Sequence, residues 1–264
     1  MRQIKSMESN IKVAMITGAA SGMGRVYALR MAAQGIIVAA VDQDKVALEL
    51  LACEEGIVSY CADVRDEKVL MTIVEEHEAR FGVIQRLVTC AAIMPTLSLA
   101  AQSATEINQI MAVNYQGTVN SVASVLPAML DRNEGQVIIF GSSGGYLPVP
   151  ECGAYVASKF ATNSYAETLI EENRGSDVQF LLVCPPLVDT PLLEQARQSA
   201  NPKIIRQAIR QKRFVSADYI IDQVEIGLNK ELKILIPGLA TQLMLWLRRF
   251  SPRLVWWIFR RNQA

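Results

Sequence analysis

Short runs of apolar residues alternate with longer stretches of mixed character along most of this chain. The runs are rich in valine and isoleucine and nearly continuous in apolarity, and they cover residues 11–17, 36–41, 56–62, 86–92, 135–141, 178–184 and 232–237. Such runs are typical of parallel strands buried on both faces, and the stretches between them carry the periodicity of amphipathic helices. The pattern predicts an α/β fold: a Rossmann-like, doubly wound parallel sheet of about seven strands.

The same pattern suggests one main domain with two flanking segments. No internal repeat or Pro/Gly-rich linker interrupts residues 11–238, so they are expected to form a single domain after a flexible tail at residues 1–10. Residues 186–215 break the rhythm with a long insertion, which we expect to be a substrate lid. Residues 239–264 are expected to form basic amphipathic helices.

Composition narrows the possible functions. The chain has 264 residues, 51% of them hydrophobic, and a formal net charge of zero, so no strong field recruits nucleic acid. The polar N-terminus lacks the apolar core of a signal peptide, which favours a cytoplasmic protein. The cysteines are odd in number and lack a CxxC spacing, so we expect neither a disulfide framework nor a metal site. They are Cys53, Cys61, Cys90, Cys152 and Cys184.

The one histidine of the chain, His77, stands in the charged run VEEHEAR. Those charges predict the solvent-exposed face of a helix. A Ser-His-Asp hydrolase or a His-ligated metal enzyme would depend on this residue, so both classes are disfavoured.

A glycine-rich turn, TGAASGMG, follows the first predicted strand and precedes an amphipathic helix. Glycines let the backbone approach a pyrophosphate, and the helix N-terminus offers free N–H groups and the positive end of its dipole. A tight turn needs glycine for steric reasons too, so it is the position between strand and helix that favours a dinucleotide site. The expected contacts are Gly18, Ser21, Gly22, Met23 and Gly24.

Asp42 ends the second predicted strand, where a carboxylate can accept from both ribose hydroxyls of an adenosine and would repel a 2′-phosphate. No basic residue stands at Ala20 or Ser21 or directly after Asp42, and Lys45 is expected to face solvent. We therefore predict NAD in preference to NADP. Asp42 could instead cap the next helix, although Asp44 could do so equally.

Residues 155–159 read YVASK, which places Tyr155 and Lys159 on one face if the segment is helical. Spacing alone also fits an ordinary surface pair. Together with the TGxxxGxG turn and Asp42, however, this motif resembles the short-chain dehydrogenase/reductase family, over about residues 12–237. The resemblance implies that Tyr155 is the catalytic acid or base and that Lys159 binds the nicotinamide ribose.

The resemblance also implies a serine thirteen residues before the tyrosine and an asparagine in an upstream helix. Counting back from the tyrosine gives Ser142, with Ser143 as the alternative. The asparagine is expected at Asn114, which would fix a water beside the lysine, and Asn120 is less well placed.

Further cofactor contacts implied by the resemblance are Asp63, Val64, Ala91, Val188 and Thr190. Two positions depart from the family pattern. Cys90 replaces an asparagine that usually braces the sheet, and Pro186 replaces a glycine at the nicotinamide end, where it removes an N–H and stiffens the entrance.

The resemblance implies a nicotinamide-dependent interconversion of a secondary alcohol and a ketone. A free tyrosine has a pKa near 10, so we expect the ammonium of Lys159 and the cationic nicotinamide to lower the pKa of Tyr155. Ser142 would orient the substrate oxygen. The alternative is a catalytically silent dinucleotide sensor, or a membrane-peripheral binding protein, with the same fold.

Apolar side chains dominate the expected substrate side, which favours a lipophilic substrate such as a steroid-like, long-chain acyl, sphingoid or retinoid compound. The expected contacts are Met94, Leu147, Val149, Cys152, Leu187, Leu192 and Leu193.

The segment after residue 238 contains no acidic residue and carries five arginines and three tryptophans in runs too short to span a bilayer. Two short amphipathic helices here could rest on an anionic membrane surface, cover the substrate cleft or form a subunit interface. We expect a homodimer or homotetramer.

Overall fold

The computed structural model describes residues 11–263, and the tail expected at residues 1–10 lies outside them. Within the described chain, seven strands form one parallel sheet in the order β3-β2-β1-β4-β5-β6-β7. They are β1 (Val13–Thr17), β2 (Ile37–Asp42), β3 (Ile57–Cys61), β4 (Arg86–Thr89), β5 (Gln136–Phe140), β6 (Gln179–Val183) and β7 (Ile234–Leu235). The predicted doubly wound fold is confirmed, with most strands one or more residues shorter than their apolar runs.

Helices connect and flank these strands. They are α1 (Gly22–Ala32), α2 (Lys45–Leu51), α3 (Glu67–Phe81), α4 (Ala104–Met111), α5 (Gly117–Asp131), α6 (Gly153–Glu172), α7 (Pro191–Gln198), α8 (Lys203–Arg210), α9 (Ala217–Asn229), α10 (Leu239–Phe250) and α11 (Pro252–Gln263). A π-helical turn, Ala112–Gln116, joins α4 to α5. The insertion at residues 186–215 thus contains α7 and α8, and the C-terminal segment forms two helices, as its sequence predicts.

Both faces of the sheet are buried, which explains the continuous apolarity of the strands. Successive side chains of a strand point to opposite faces. Ala14 and Ile16 of β1 therefore pack with α1, α2 and α9, whereas Val13 and Met15 pack with α3, α5 and α6. Two hydrophobic layers hold the sheet between them.

The sheet has its topological switch between β1 and β4. These strands are neighbours, with Thr17 opposite Thr89, but the chain leaves β1 toward β2 and β3 before it returns to β4. The loops that follow β1 and β4 therefore diverge to opposite sides and leave a crevice at the carboxyl ends of the strands.

His77 lies in the core, so its predicted position on an exposed helix face is wrong. It shares the buried face of α3 with Leu70, Ile73 and Val74, at helical spacing, and the charged residues around it occupy the other face. Its Nδ1 lies 3.1 Å from the hydroxyl of Tyr60. Burial, with a smaller effect of Arg80, lowers the pKa of His77 to about 4.

The pKa of His77 predicts an acid-dependent loss of stability. Between pH 6.5 and pH 4 this histidine is protonated in the unfolded chain but neutral in the folded chain, because its folded-state pKa is the lower one. The free energy of unfolding is therefore highest above about pH 6.5 and falls as the pH is lowered toward 4. The free energy of unfolding should decrease by up to about 3 kcal/mol over this range. Denaturant titrations of the wild type and His77→Leu at several pH values measure the effect. Carboxylates titrate in both proteins, so identical pH slopes would contradict the prediction.

Candidate active site

The glycine turn closes tightly against the loop that follows β4. Gly18 has φ +70°, and a Cβ there would lie 2.6 Å from the backbone nitrogen of Ala91. A Cβ on Gly24 would lie 2.2 Å from the carbonyl oxygen of Gly18. Gly22, with φ +53°, begins α1 beside Thr190. Only glycine fits at the first two positions, so the turn leaves the N-terminus of α1 open to the crevice.

Asp42 lies at the rim of this crevice and braces it. Its Oδ2 accepts a 3.0 Å hydrogen bond from the backbone N–H of Ala20, and its Oδ1 accepts one of 3.1 Å from the backbone N–H of Asp44. The cap of α2 is supplied by Asp44, whose side chain accepts from Ala47. Lys45 is exposed and pairs with Glu49, as expected of a residue facing solvent. The carboxylate of Asp42 therefore has no neighbouring cation from α2.

The remaining residues predicted to contact a cofactor are mostly brought together here. Ser21, Met23, Asp63, Val64, Ala91 and Thr190 line the same cleft as the glycine turn and Asp42. Val188 lies just beyond, on the wall of the adjoining cavity. Arg65 was not predicted: its Nε donates to Asp63 at 2.8 Å and lowers the pKa of that carboxyl.

Tyr155, Ser142 and Lys159 converge at the carboxyl end of β5. Tyr155 and Lys159 lie one turn apart on α6. A Cβ on Gly144 would lie 3.2 Å from Oγ of Ser142 and 3.8 Å from the ring of Tyr155, so the serine hydroxyl and the phenol ring are neighbours. The Ser142 hydroxyl also accepts from the backbone N–H of Gly144 at 3.0 Å. Nζ of Lys159, whose side chain is 4% exposed, donates to the carbonyl of Phe140 at 2.9 Å. Both serines line the cavity beside Tyr155, but Ser142 is the one that affects the pKa of the phenol, and its catalytic role stays a prediction.

Burial dominates the ionisation of this pair. It raises the pKa of Tyr155 to about 12, although the hydrogen bond with Ser142 lowers it in part. It lowers the pKa of Lys159 to about 8. Each shift favours the neutral form, as expected when water is removed from a charge. In the protein alone, burial raises the pKa of Tyr155, and the lowering expected from Lys159 together with the cationic nicotinamide stays a prediction.

Asn114 braces the start of α6 from the π-helical turn. Its Oδ1 accepts from the backbone N–H of Ile93 at 2.8 Å, and its Nδ2 donates to Oγ of Ser158 at 2.9 Å. Ser158 in turn donates to the carbonyl of Tyr155. Asn120, the alternative, instead holds the loop after β3 by donating to the carbonyl of Val64. The water-holding role expected of Asn114 stays a prediction.

Asn163 is a positioning residue that sequence reasoning missed. Its Nδ2 donates to the carbonyl of Ser142 at 3.0 Å, and its Oδ1 accepts from the backbone N–H of Ser142 at 3.3 Å. A Cβ on Gly141 or Gly145 would lie 2.0 or 2.2 Å from this amide. The glycines in FGSSGG therefore make room for the side chain that fixes the serine. The helical spacing from Tyr155 was the available signal.

The seven residues predicted to contact substrate all line one apolar cavity, whose wall includes the half-buried Tyr155. Val156, Ile204 and Ile205 also line it, and the last two come from α8 in the insertion. None of the described residues that line this cavity carries a charge. The cavity shares Met23 and Thr190 with the cleft of the glycine turn, so the two spaces adjoin at these residues.

Polar contacts join the insertion at residues 186–215 to the loop after β4. Thr96, in the loop after β4, donates its backbone N–H to Oγ of Ser199 at 2.9 Å. The backbone N–H of Met94 donates to Oε1 of Gln195 at 2.9 Å. These bonds hold α7 against the loop after β4.

Metal ligands are not grouped in the part of the chain that the structure describes. No set of three or more His, Cys, Asp or Glu side chains there is placed to hold a metal ion. The five cysteines are free thiols.

The residues of the crevice fit a nicotinamide dinucleotide. The turn has no room for side chains where a pyrophosphate would approach, the N-terminus of α1 faces the same space, and a carboxylate stands at its adenosine end. The fold and site thus define a dinucleotide-binding oxidoreductase.

Comparison with known proteins places the chain within a family. Residues 12–201 match the sequence model of the short chain dehydrogenase family, and the chain belongs to that family. It is 28% identical to an 11-beta-hydroxysteroid dehydrogenase A of Sesamum indicum, over 94% of this chain and 74% of that protein.

Solved structures share the architecture. A short chain dehydrogenase/reductase from Burkholderia phymatum in complex with NAD superposes with a TM-score of 0.81 at 26% identity, covering 92% of this chain and 95% of that one. A short-chain dehydrogenase from Sphingobium yanoikuyae in complex with NADPH gives 0.75 at 23%, covering 87% and 89%. Relatives of this fold thus occur with either dinucleotide.

The packing of the turn predicts the effect of Gly24→Ala. The added methyl group would collide with the carbonyl of Gly18 and displace the turn, so affinity for NADH should fall at least about tenfold. Gly175→Ala is the matched control, because a Cβ there meets nothing within 4 Å. Quenching of intrinsic fluorescence by NADH measures both. Equal affinity of the two variants would show that the turn does not hold the cofactor.

Proposed function

We propose that this protein is an NAD-dependent oxidoreductase that interconverts a secondary alcohol and a ketone on a lipophilic substrate, with Tyr155 as general acid and base. The observation that carries the proposal is the position of the phenol. It lies beside Ser142 in the wall of an apolar cavity, and that cavity shares Met23 and Thr190 with the cleft of the glycine turn.

Several residues are assigned to the cofactor. The glycine turn with Ser21 and Met23 would hold the pyrophosphate, Asp42 the adenosine ribose, Asp63 and Val64 the adenine, and Lys159 the nicotinamide ribose. Ala91, Val188 and Thr190 would complete the nicotinamide side. When bound, the nicotinamide ring accepts or gives a hydride.

The proton of the reaction is assigned to Tyr155. In the direction of ketone reduction the neutral phenol gives its proton to the substrate oxygen, and in alcohol oxidation the phenolate takes it back. Ser142 donates to the same oxygen and orients it. The high pKa of Tyr155 keeps the phenol protonated at neutral pH, which suits the donor role, and the buried Lys159 stabilises the phenolate that remains.

The cavity supports a lipophilic substrate. Its lining is apolar and uncharged, so a steroid-like, long-chain acyl, sphingoid or retinoid skeleton would bury apolar surface without leaving a charge unpaired. The similarity to a hydroxysteroid dehydrogenase agrees with this class.

Removing the phenolic hydroxyl tests the proton assignment. Tyr155→Phe should lower kcat by about 10²–10⁴-fold, the usual contribution of a positioned acid, and leave NADH affinity nearly unchanged. Tyr146→Phe is the matched control, because that hydroxyl donates to Glu167 away from the cavity. The readout is oxidation of NADH with a panel of lipophilic ketones. Full activity of Tyr155→Phe would refute the mechanism, and tight NADH binding without turnover of any ketone by the wild type would favour the sensor.

Charge at the adenosine end tests the choice of cofactor. The carboxylate of Asp42 would repel a 2′-phosphate, so kcat/KM should be at least about tenfold higher with NADH than with NADPH, and Asp42→Ala should remove most of that ratio. Asp44→Asn, a change in the neighbouring cap, should leave the ratio intact. Faster turnover with NADPH by the wild type would contradict the assignment.

A further inference from the structure

Helix α10 exposes a continuous apolar face. Leu239, Leu243, Trp246 and Phe250 follow one another at helical spacing and are each between 59% and 83% exposed. The rings of Trp246 and Phe250 pack on each other at the surface, with centroids 4.9 Å apart. Residues spaced by three and four lie on one side of a helix, so these four form a single stripe. Contiguous apolar stripes of this kind mark binding surfaces.

The opposite face of α10 is turned toward the rest of the protein. Ala240, Thr241, Met244 and Leu245 line a second cavity with Ile258 of α11 and residues of α8. Gln242 fixes the start of α10 by donating to the carbonyl of Ile236 at 2.8 Å. The inward face is therefore turned toward α8 and α11, and the stripe faces away from them.

Positive charge surrounds the exposed faces. On α11, Leu254 and Trp257 stand exposed among Arg253, Arg260 and Arg261, and the guanidinium of Arg261 lies 5.4 Å from the centroid of the Trp257 ring. No acidic residue occurs after Glu231 in the sequence. A partner that fits this surface offers apolar groups to the exposed side chains and negative charge to the arginines around them.

The charge distinguishes an anionic lipid surface from a second copy of the chain. A two-fold dimer through this face would bring the arginines of both copies into one interface without acidic partners, because such an interface pairs a surface with itself. A bilayer containing acidic phospholipids offers a negative surface over an apolar interior, and tryptophan and arginine are suited to that boundary. Within residues 11–263 no helix is both long and apolar enough to cross a membrane.

We propose that α10 and α11 bind the surface of an anionic phospholipid membrane, with the stripe of α10 at the boundary between headgroups and acyl chains. The second cavity shares Ser143, Leu147 and Leu187 with the cavity beside Tyr155. Docking would therefore place a route to the phenol next to the lipid. That consequence rests on the proposed function, whereas the docking itself does not.

Vesicle flotation of the full chain tests the apolar part. The wild type should float with phosphatidylcholine vesicles that contain phosphatidylserine and far less with pure phosphatidylcholine. Leu243→Ser with Trp246→Ser should weaken binding by at least about tenfold, since two large apolar side chains no longer enter the membrane. Val46→Ser with Leu50→Ser on α2, two residues each 69% exposed, is the matched control and should float like the wild type. Thermal unfolding and NADH binding establish that every variant is folded.

A second pair of variants tests the charge. Arg253→Gln with Arg260→Gln should weaken vesicle binding by about fivefold for each arginine. Added salt should also weaken binding of the wild type, because it screens the same charges. Lys68→Gln with Arg174→Gln, exposed cations elsewhere, should change nothing. The proposal is overturned if the wild type fails to float with anionic vesicles, or if it floats equally with neutral ones.

Two further results separate this proposal from its rivals. A wild-type dimer that does not float, and that Leu243→Ser with Trp246→Ser converts to a monomer in light scattering, would assign the face to a second copy and overturn the proposal. Flotation by a protein that turns over no lipophilic ketone would sustain docking and refute the proposed function alone.

Discussion

The buried amine of Lys159 is the group on which the site depends. It lies on α6 near the carboxyl end of β5, is 4% exposed, and donates to the carbonyl of Phe140. A charge in such a place is weakly screened, so its effect on a phenol one turn away is far larger than at a surface. The same burial makes the charge costly to hold and lowers its pKa to about 8. In the proposed mechanism, the ammonium of Lys159 would therefore stabilise the phenolate of Tyr155.

Buried polar side chains fix the positions of the residues next to Lys159 and Tyr155. Asn114 holds Ser158, the residue before Lys159, and Asn163 holds Ser142, the partner of the phenol. Both amides are buried, and neither lines the substrate cavity. Buried amides with their hydrogen bonds satisfied are rigid supports, because any shift would leave a polar group unpaired. The positions of Tyr155 and Ser142 are therefore held by uncharged side chains.

Much of this architecture could be predicted from sequence because its signals are local. Continuous apolar runs indicate parallel strands, the turn motif lies between a strand and a helix, and the thirteen-residue spacing selects Ser142 over Ser143. The prediction for His77 is wrong because its charged neighbours lie on the exposed face of α3, whereas the histidine belongs to the buried face. Asn163 and Gln195 escaped notice because their partners are distant in the chain. The pKa of Tyr155 could not be predicted because desolvation depends on everything packed around it.

The direct measurement is a titration of the phenol of Tyr155. Carbon-13 NMR of tyrosine labelled at Cζ, with Tyr155→Phe to assign the signal, reports its ionisation in the free protein and in the complex with NAD. The free protein should titrate near 12, and a phenol that serves as a base should titrate below about 10 once NAD is bound. A Tyr155 signal that stays near 12 in the complex with NAD would contradict its role as the base in alcohol oxidation.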